Sequence, residues 1–414
     1  MTAKSDQVSR APHRNIRLLT IAQALGGANS PIVISLGGLV GQHLSPDPKL
    51  ETLPVSLLNL GLAVGTVPAA FIMRRYGRRQ GYLLGAVIAL LAGLIATLGI
   101  VRHSFAIFCA GTCLAGFYSS YVQSYRFAAA DNPTGAASQK AIARVMVGGL
   151  VAAIIGPQLV IWTRDALPGH AFAGSFLSQG VLAMMAFPVL LMLRPPAERS
   201  HGTAQPAANR ALRDILLTPR YMLAIATGVV SYGLMTFVMT ASPIAMVGHG
   251  HSVDRAALGI QWHILAMYGP SFLTGRLMAR FGKEKVAATG LLLIGASAVV
   301  ALSGLDIAHF WGALVLLGVG WNFGFLGATA MVADCHTPSE RNKVQGANDF
   351  LVFGTVATAS FFSGALLHSS GWATINWVVL PAVSLVLVPL LWRSAAAIGR
   401  LNSCWQGQLC QRDL

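Results

Sequence analysis

Apolar runs of roughly 20 residues, parted by short polar connections, recur from one end of this chain to the other. A run of that length crosses a hydrocarbon layer of about 30 Å as a helix. In lipid the backbone has no water to bond, so each run satisfies its own N–H and C=O groups by coiling. Charge is too scarce for a water-facing surface, at 10% of residues against about 25% in soluble domains. Twelve spans are expected, at 18–43, 53–73, 80–101, 105–129, 139–163, 170–193, 221–247, 255–278, 285–304, 307–332, 341–367 and 372–395. The fold class is therefore all-α integral membrane. The first run is too long, and too interrupted by Gln23, Asn29 and Pro31, for a cleaved signal peptide, and reads as a retained helix.

The net charge of +15 does not point to nucleic acid, because the basic residues punctuate apolar spans instead of gathering on one face. Their placement carries topology instead. An even span count puts both termini on one side, and 25 of the 29 Lys and Arg residues fall there. Lys49, Arg102, Arg164 and Arg255 fall on the other. The excess marks the terminal side as cytoplasmic. Five cysteines, without a CxxC pair, give neither a zinc site nor a disulfide framework, and no metal or cofactor is expected. The chain lacks GxxxxGK[ST], HExxH and GxSxG, which argues against ATP-driven transport and intramembrane hydrolysis.

Residues 194–220, "RPPAERSHGTAQPAANRALRDILLTPR", form the longest polar segment and read as a linker. They separate an N-terminal bundle (1–193) from a C-terminal one (221–414). The two repeat each other. "FIMRRYGRRQ" (71–80) aligns with "RLMARFGKEK" (276–285), Gly77 over Gly282. "FAAAD" and "AMVAD" end at Asp131 and Asp334, 54 and 52 residues further on, and "SPI" occurs upstream at Ser30 and Ser242. Three landmarks in one order imply two parallel six-helix bundles around a central cavity, the plan of rocker-type secondary transporters.

With these residues the chain resembles the major facilitator superfamily over nearly its whole length. The family signature after the second helix, G-x-L-x-D-R-x-G-R-R, has Ala70, Ile72, Arg75, Gly77, Arg78 and Arg79 at the corresponding places. Arg74 stands where the family has an aspartate, and Ala279 does so in the second copy. The resemblance implies a cytoplasmic gate of Arg75, Gly77, Arg78, Arg79, Asp131, Arg280, Gly282 and Asp334, wired without the family's carboxylate lock. "GIQWHILAMYGPSFLTGRLMARFGKEK" (259–285) and "NKVQGANDFLVFG" (342–354) also resemble a bacterial branch that includes riboflavin importers. That implies a monomer in the bacterial cytoplasmic (inner) membrane, with lipid and a small-molecule substrate as its partners.

The resemblance also implies a cavity lined by spans one, four, seven and ten. Tyr118, Tyr121 and Tyr125 fall on one face of span four, with Arg126 beside them. A planar aromatic substrate can stack on such a stripe; packing inside the bundle is the competing reading. Span ten offers Trp321, Asn322 and Phe325, and spans one and seven offer Gln23, Asn29, Tyr232, Thr236 and Thr240. Pro31 and Pro243 free backbone carbonyls at matched places, where a helix can kink. Asp349, flanked by Asn348, lies about 12 Å into span eleven at 1.5 Å per residue. A carboxylate at that depth is a candidate for proton coupling or an ion pair, with Arg144 or Arg126 as counter-charge. His263, beside Trp262, is a second titratable candidate. The expected function is secondary, proton-coupled transport of a planar or polar metabolite by alternating access, riboflavin being the named guess. A proton-antiporting exporter is the alternative: "GGLVAAIIGP" (148–157) resembles the exporters' span-five signature but lacks the glycine pair after Pro157.

Overall fold

A computed structural model describes residues 2–129, 136–194, 210–337 and 340–410, with side chains for 14–129, 140–194, 210–337, 340–341 and 343–393. Most of the linker and Asp131 lie outside the described residues. Among the described residues every regular element is helical, as an apolar chain in lipid requires. The elements are α1 (Thr2–Gly27), α2 (Asn29–Leu44), α3 (Leu53–Tyr76), α4 (Arg78–Val101), α5 (Phe105–Ala129), α6 (Ala136–Thr163) and α7 (Ala173–Leu191). After the linker come the short α8 (Leu212–Leu216), then α9 (Pro219–Gly248), α10 (Val253–Tyr268), α11 (Ser271–Phe281), α12 (Lys283–Ser303), α13 (Ile307–Ala333) and α14 (Arg341–Cys410). A 3-10 turn, Pro48–Leu50, precedes α3.

Among the described residues, ten stretches are long and apolar enough to cross a membrane. The last of them, Lys343–Arg393, is 51 residues long and turns a corner at Gly371, whose φ is 78°. Expected span eight is absent from the ten because it is split into α10 and α11, of 16 and 11 residues. Pro270 explains the split: it has no N–H to give the preceding turn, and its ring crowds that turn's carbonyl. Pro31 does the same to the first span, which parts between Gly27 and Asn29. Pro243 does not: α9 runs unbroken for 30 residues through it. The matched prolines thus have unmatched effects. The polar N-terminal tail also continues α1 instead of preceding it.

Two faces are told apart by which helix ends meet, Asn15 with Arg194 and Lys283 with Asp334 on one, Thr52 with Phe361 and Arg164 with Asp254 on the other. The proximal face carries the start of α1 and the corners at Gly77 and Gly282; the distal face carries the 3-10 turn and Gly371. The two proximal corners are conformational copies, with φ/ψ of 87°/156° at Gly77 and 92°/155° at Gly282. Only glycine occupies that region without strain. Small residues set the distance between helices: Gly290 of α12 meets the backbone of Gly324 in α13, where a Cβ finds no room.

One apolar core joins α1, α3, α4, α5, α6 and α7 through residues such as Leu19, Tyr82, Tyr125 and Leu190. A second is centred on α9 to α14, with Met235, Leu291, Leu317 and Val379. A third crosses between the chain halves, bringing Ile32 and Leu36 of α2 to Ile244 of α9 and Ala257 of α10. Polar contacts between the halves stand on the distal side of the molecule. Arg164 pairs with Asp254 at 2.6 Å, and Gln158 Nε2 donates to Gln261 Oε1 at 3.0 Å. Thr52 donates to the Phe361 carbonyl at 3.3 Å, and Ser56 to Ser360 Oγ at 3.2 Å.

On the proximal face the two ends of the linker are pinned. Asn15 Nδ2 donates to the Arg194 carbonyl at 2.9 Å, and the Arg194 N–H donates back to Asn15 Oδ1 at 3.2 Å. Arg210 donates through Nε and Nη2 to Glu340, at 3.0 and 2.8 Å, and its carbonyl accepts from Lys343. The Arg210 side-chain bonds, helped by the Thr337 N–H, hold the Glu340 carboxyl well below the usual carboxylate range. The latch therefore stays charged at neutral pH and loosens only in strong acid.

A Cβ at Gly282 would force an L residue into the glycine-only region, at about 1–3 kcal/mol. Gly282→Ala is expected to unfold at a lower temperature in detergent, by scanning fluorimetry. Gly346→Ala, a helical site with nothing within 4 Å of the new methyl, is the control and is expected to unfold no lower than the parent.

Candidate functional site

Halfway between the two faces, four helices of the second half of the chain bring aromatic rings together. Tyr232 of α9 meets Trp321 and Phe325 of α13 edge-on, with centroids at 5.3 and 4.9 Å, and Phe353 of α14 at 6.0 Å. Tyr268, the last residue of α10, lies 5.9 Å from Trp321. Trp321 and Phe325, one turn apart on α13, stack at 5.4 Å with 17° between their planes. Such offset and edge-on pairs suit the ring quadrupole and hold the cluster rigid. Trp321 is 6% exposed, and its indole Nε1 has no hydrogen-bond partner. Tyr232, Tyr268, Phe325 and Phe353 are half-buried, each leaving ring surface accessible.

Arg126, near the proximal end of α5, approaches this cluster from the first half of the chain. Its charge acts on Tyr232, Tyr268 and Asp349. The guanidinium lies over the Phe127 ring at 4.8 Å, and its buried Nε has no partner. Asp349, on the proximal turns of α14, is exposed and accepts from Asn348 Nδ2 at 3.1 Å. A cation and a carboxylate from opposite halves thus flank a half-open aromatic cluster. An arrangement of this kind takes a flat conjugated ring against the aromatics and a carbonyl or anionic edge against the guanidinium.

The other expected site residues divide sharply. The tyrosine stripe of α5 turns into the first-half core: Tyr118, Tyr121 and Tyr125 are 1%, 0% and 0% exposed. Tyr125 packs edge-on against Tyr82 at 4.7 Å, and Tyr118 presses its hydroxyl on Gly26 of α1. In this structure the three rings are sealed inside the first-half core, as packing residues are. Asn29 ties α2 to α5, donating to the Ala115 carbonyl at 3.0 Å and to Ser119 at 2.9 Å. Gln23 packs against Gly148 of α6. Trp262 faces outward, 46% exposed, in an apolar groove shared with Val300, Trp311 and Val315.

Asn322 is fully committed to structure. Its Nδ2 donates to the Met267 carbonyl and to Ser271, both at 2.6 Å, while its Oδ1 accepts from Thr274 at 2.5 Å. It thereby holds together the break between α10 and α11. His263, 0% exposed, bonds the Leu314 carbonyl through Nδ1 at 2.7 Å, and so joins α10 to α13. Thr236, one turn beyond Tyr232, is buried with its hydroxyl unpartnered. Arg144 is exposed, and Arg126 is the cation whose charge reaches Asp349.

Among the gate residues, Asp334 pairs with Lys283 at 2.5 Å and with Arg220 at 3.1 Å. Arg75 and Arg280, matched in the repeat, each lie over the next ring, Tyr76 at 5.9 Å and Phe281 at 5.2 Å. Arg78 and Arg79 follow the Gly77 corner at the start of α4. Tyr268 and Phe353 were missed in the sequence because neither belongs to a local pattern, and each gains its meaning from rings on other helices. Among the described residues no three His, Cys, Asp or Glu side chains stand together as a metal site.

The sequence profile of the Major Facilitator Superfamily matches residues 18–270 and 264–403. The riboflavin transporter RfnT of Brucella anthropi is 68% identical over 383 residues, covering 92% of this chain and 96% of the relative. The uncharacterized MFS-type transporter YddS of Bacillus subtilis is 30% identical over 91% of this chain and 90% of its own. Among solved structures, the nucleoside transporter NupG shares the fold at 11% identity, with a TM-score of 0.67 over 91% of this chain and 98% of that one. A mutant form of NupG gives 0.70 at 12% identity, over 91% and 99%.

Replacing Asn322 by Leu removes three hydrogen bonds and strands buried partners, at about 1–3 kcal/mol for each polar group left unpaired. Asn322→Leu is expected to lower the unfolding temperature of the detergent-solubilised protein by several degrees. Tyr121→Phe, which removes a hydroxyl without a hydrogen-bond partner, is expected to leave it unchanged.

Proposed function

The chain belongs to the major facilitator superfamily, and on that premise we propose that it imports riboflavin by alternating access across a bacterial cytoplasmic membrane. It is an integral membrane protein and a secondary transporter of a small metabolite, not an enzyme. The observation that carries the substrate reading is the cluster of Tyr232, Tyr268, Trp321, Phe325 and Phe353 with Arg126 beside it. Riboflavin is a flat tricyclic ring with two carbonyls on one edge, which this surface suits. The name of the 68% identical relative points the same way.

The twelve-span reading is recovered by counting the broken α10–α11 as one span and α14 as two, divided at Gly371. The halves 1–193 and 221–414, with 194–220 between them, are then six-helix bundles of parallel orientation, which the matched corners at Gly77 and Gly282 support. The excess of basic residues puts both termini and the proximal face in the cytoplasm. The distal contacts, Arg164 with Asp254 and Ser56 with Ser360, then close the outer side, and the aromatic cluster opens inward. The working unit is one chain. In the exchange of faces, Arg126 and Asp349 draw together as Arg164 and Asp254 part. The cytoplasmic gate is built on Gly77 and Gly282 and replaces the family's missing aspartate by Asp334 with Lys283 and Arg220. The exporter reading gains nothing here, since Gln158 stands where that signature has glycine and joins the halves through Gln261.

Stacking on an aromatic side chain is worth about 1–3 kcal/mol. Trp321→Ala and Tyr232→Ala are therefore each expected to weaken riboflavin uptake into proteoliposomes by about tenfold or more in apparent affinity. Tyr121→Phe is expected to stay within about twofold. Parent protein that fails to take up riboflavin, with or without a pH gradient, removes riboflavin and leaves the transporter assignment standing. Coupling is tested at Asp349: Asp349→Asn is expected to lose pH-gradient-driven accumulation and keep substrate exchange. Normal pH-driven accumulation in that variant rules out the proton role.

A further inference from the structure

Glu51 lies between the 3-10 turn and α3, on the distal face, and is 2% exposed. Two elements cover it. Its carbonyl presses on Gly41 of α2, closely enough that no side chain fits there, and Gln42 of α2 reaches its carboxyl. On the other side, Thr52 is wedged against Gly364 of α14 and donates to the Phe361 carbonyl. α14 belongs to the opposite half of the chain, and its contact with Thr52, the residue next to Glu51, must part whenever the distal face opens. Nothing in the transport reading above uses this carboxyl.

The charged and titratable groups around it are accounted for. On α2, His43 is turned to the Leu39 carbonyl, which its Nδ1 meets at 2.7 Å, and to the Phe172 ring at 5.7 Å. Around the 3-10 turn, Asp47 accepts from the Lys49 N–H, and both side chains are exposed. On α14 the nearby ionisable group is His368, also exposed. Among the described residues no cation acts on Glu51. A carboxylate sealed from water without a cation is heavily penalised, while the neutral acid is not.

We propose that Glu51 is a proton-binding site of the distal gate: it takes up one proton from the distal aqueous phase as the halves close there, and returns it to the same side as they part. This rests on the alternation of faces proposed above, but not on the substrate. The proton is not carried across. It sets how much of the protein has its distal face shut, and the sign follows from mass action: the closed state binds one proton more, so acid favours it.

The test needs no substrate. Spin labels are placed at Lys49 and His368, exposed positions on opposite halves, in full-length protein whose five native cysteines are replaced by alanine. Distances are read by pulsed electron resonance in lipid nanodiscs between about pH 5 and pH 9. The expected result is a short-distance population whose ratio to the long one rises on acidification, by up to about tenfold per pH unit, the limit for one proton. In Glu51→Gln, which keeps the shape of the neutral acid, the short distance should persist across the range. A pH-independent parent overturns the proposal, and so does a response retained in Glu51→Gln, which would assign it to another group. If Glu51→Gln does not fold, infrared difference spectra of the parent decide. An acid C=O band must then vanish in step with the short-distance population, and a band that stays constant overturns the proposal. Loss of riboflavin uptake with this pH response intact refutes the substrate reading alone.

Discussion

A polar group buried in lipid has no water to fall back on, and the architecture follows from that one constraint. It makes every span a helix. It also turns each polar side chain inside a span into a tie between helices or a position held for a ligand. Asn29, His263 and Asn322 are ties, each spent on a neighbour's backbone carbonyl. The Trp321 indole and the Arg126 Nε are unpartnered, and they belong to the half-buried aromatic cluster or its edge.

The same rule governs how the halves meet. Hydroxyls do much of the joining on the distal side, where Ser360 of α14 lies 3.2 Å from both Thr240 and Ser56. Contacts among small hydroxyls are weak one by one, commonly about 1 kcal/mol in a membrane, and they part without stranding a charge. The charged contact, Arg164 with Asp254, lies further out, where its side chains are 24% and 38% exposed, and water is at hand when it breaks. On the alternating-access proposal, an interface that opens is expected to look like this, polar at its rim and only lightly bonded further in.

Most of the fold was legible in the sequence because oil and arginine are read residue by residue. Run length gives the helices, and "YG" followed by basic residues marks a corner whose backbone conformation recurs at "FG". The breaks were less legible. Pro31 and Pro270 interrupt their helices and Pro243 does not, because the outcome depends on whether the neighbours let the freed carbonyl tilt away. The site was legible only in part. Spacing i, i+3, i+7 puts Tyr118, Tyr121 and Tyr125 on one face but is silent on which way that face looks. Tyr268 and Phe353 become site residues only through rings on α9 and α13. Asp349 stood out by its depth, yet its counter-charge was reachable only in three dimensions, where Arg126 and not Arg144 is the cation that reaches it.

The two anchors of the linker have a mechanical consequence. Asn15 fastens the chain where it leaves α7, and Glu340 fastens it where it nears α9. Motion of one half therefore pulls on the other through two clamped points and not through the helix ends, so strain in the tether is not passed into α7 or α9. Each clamp is built wholly from its own half. A cut between residues 195 and 209 would leave both fragments with their ends already dressed, to be held together by the seam of hydroxyl, amide and aliphatic contacts and the Arg164–Asp254 pair.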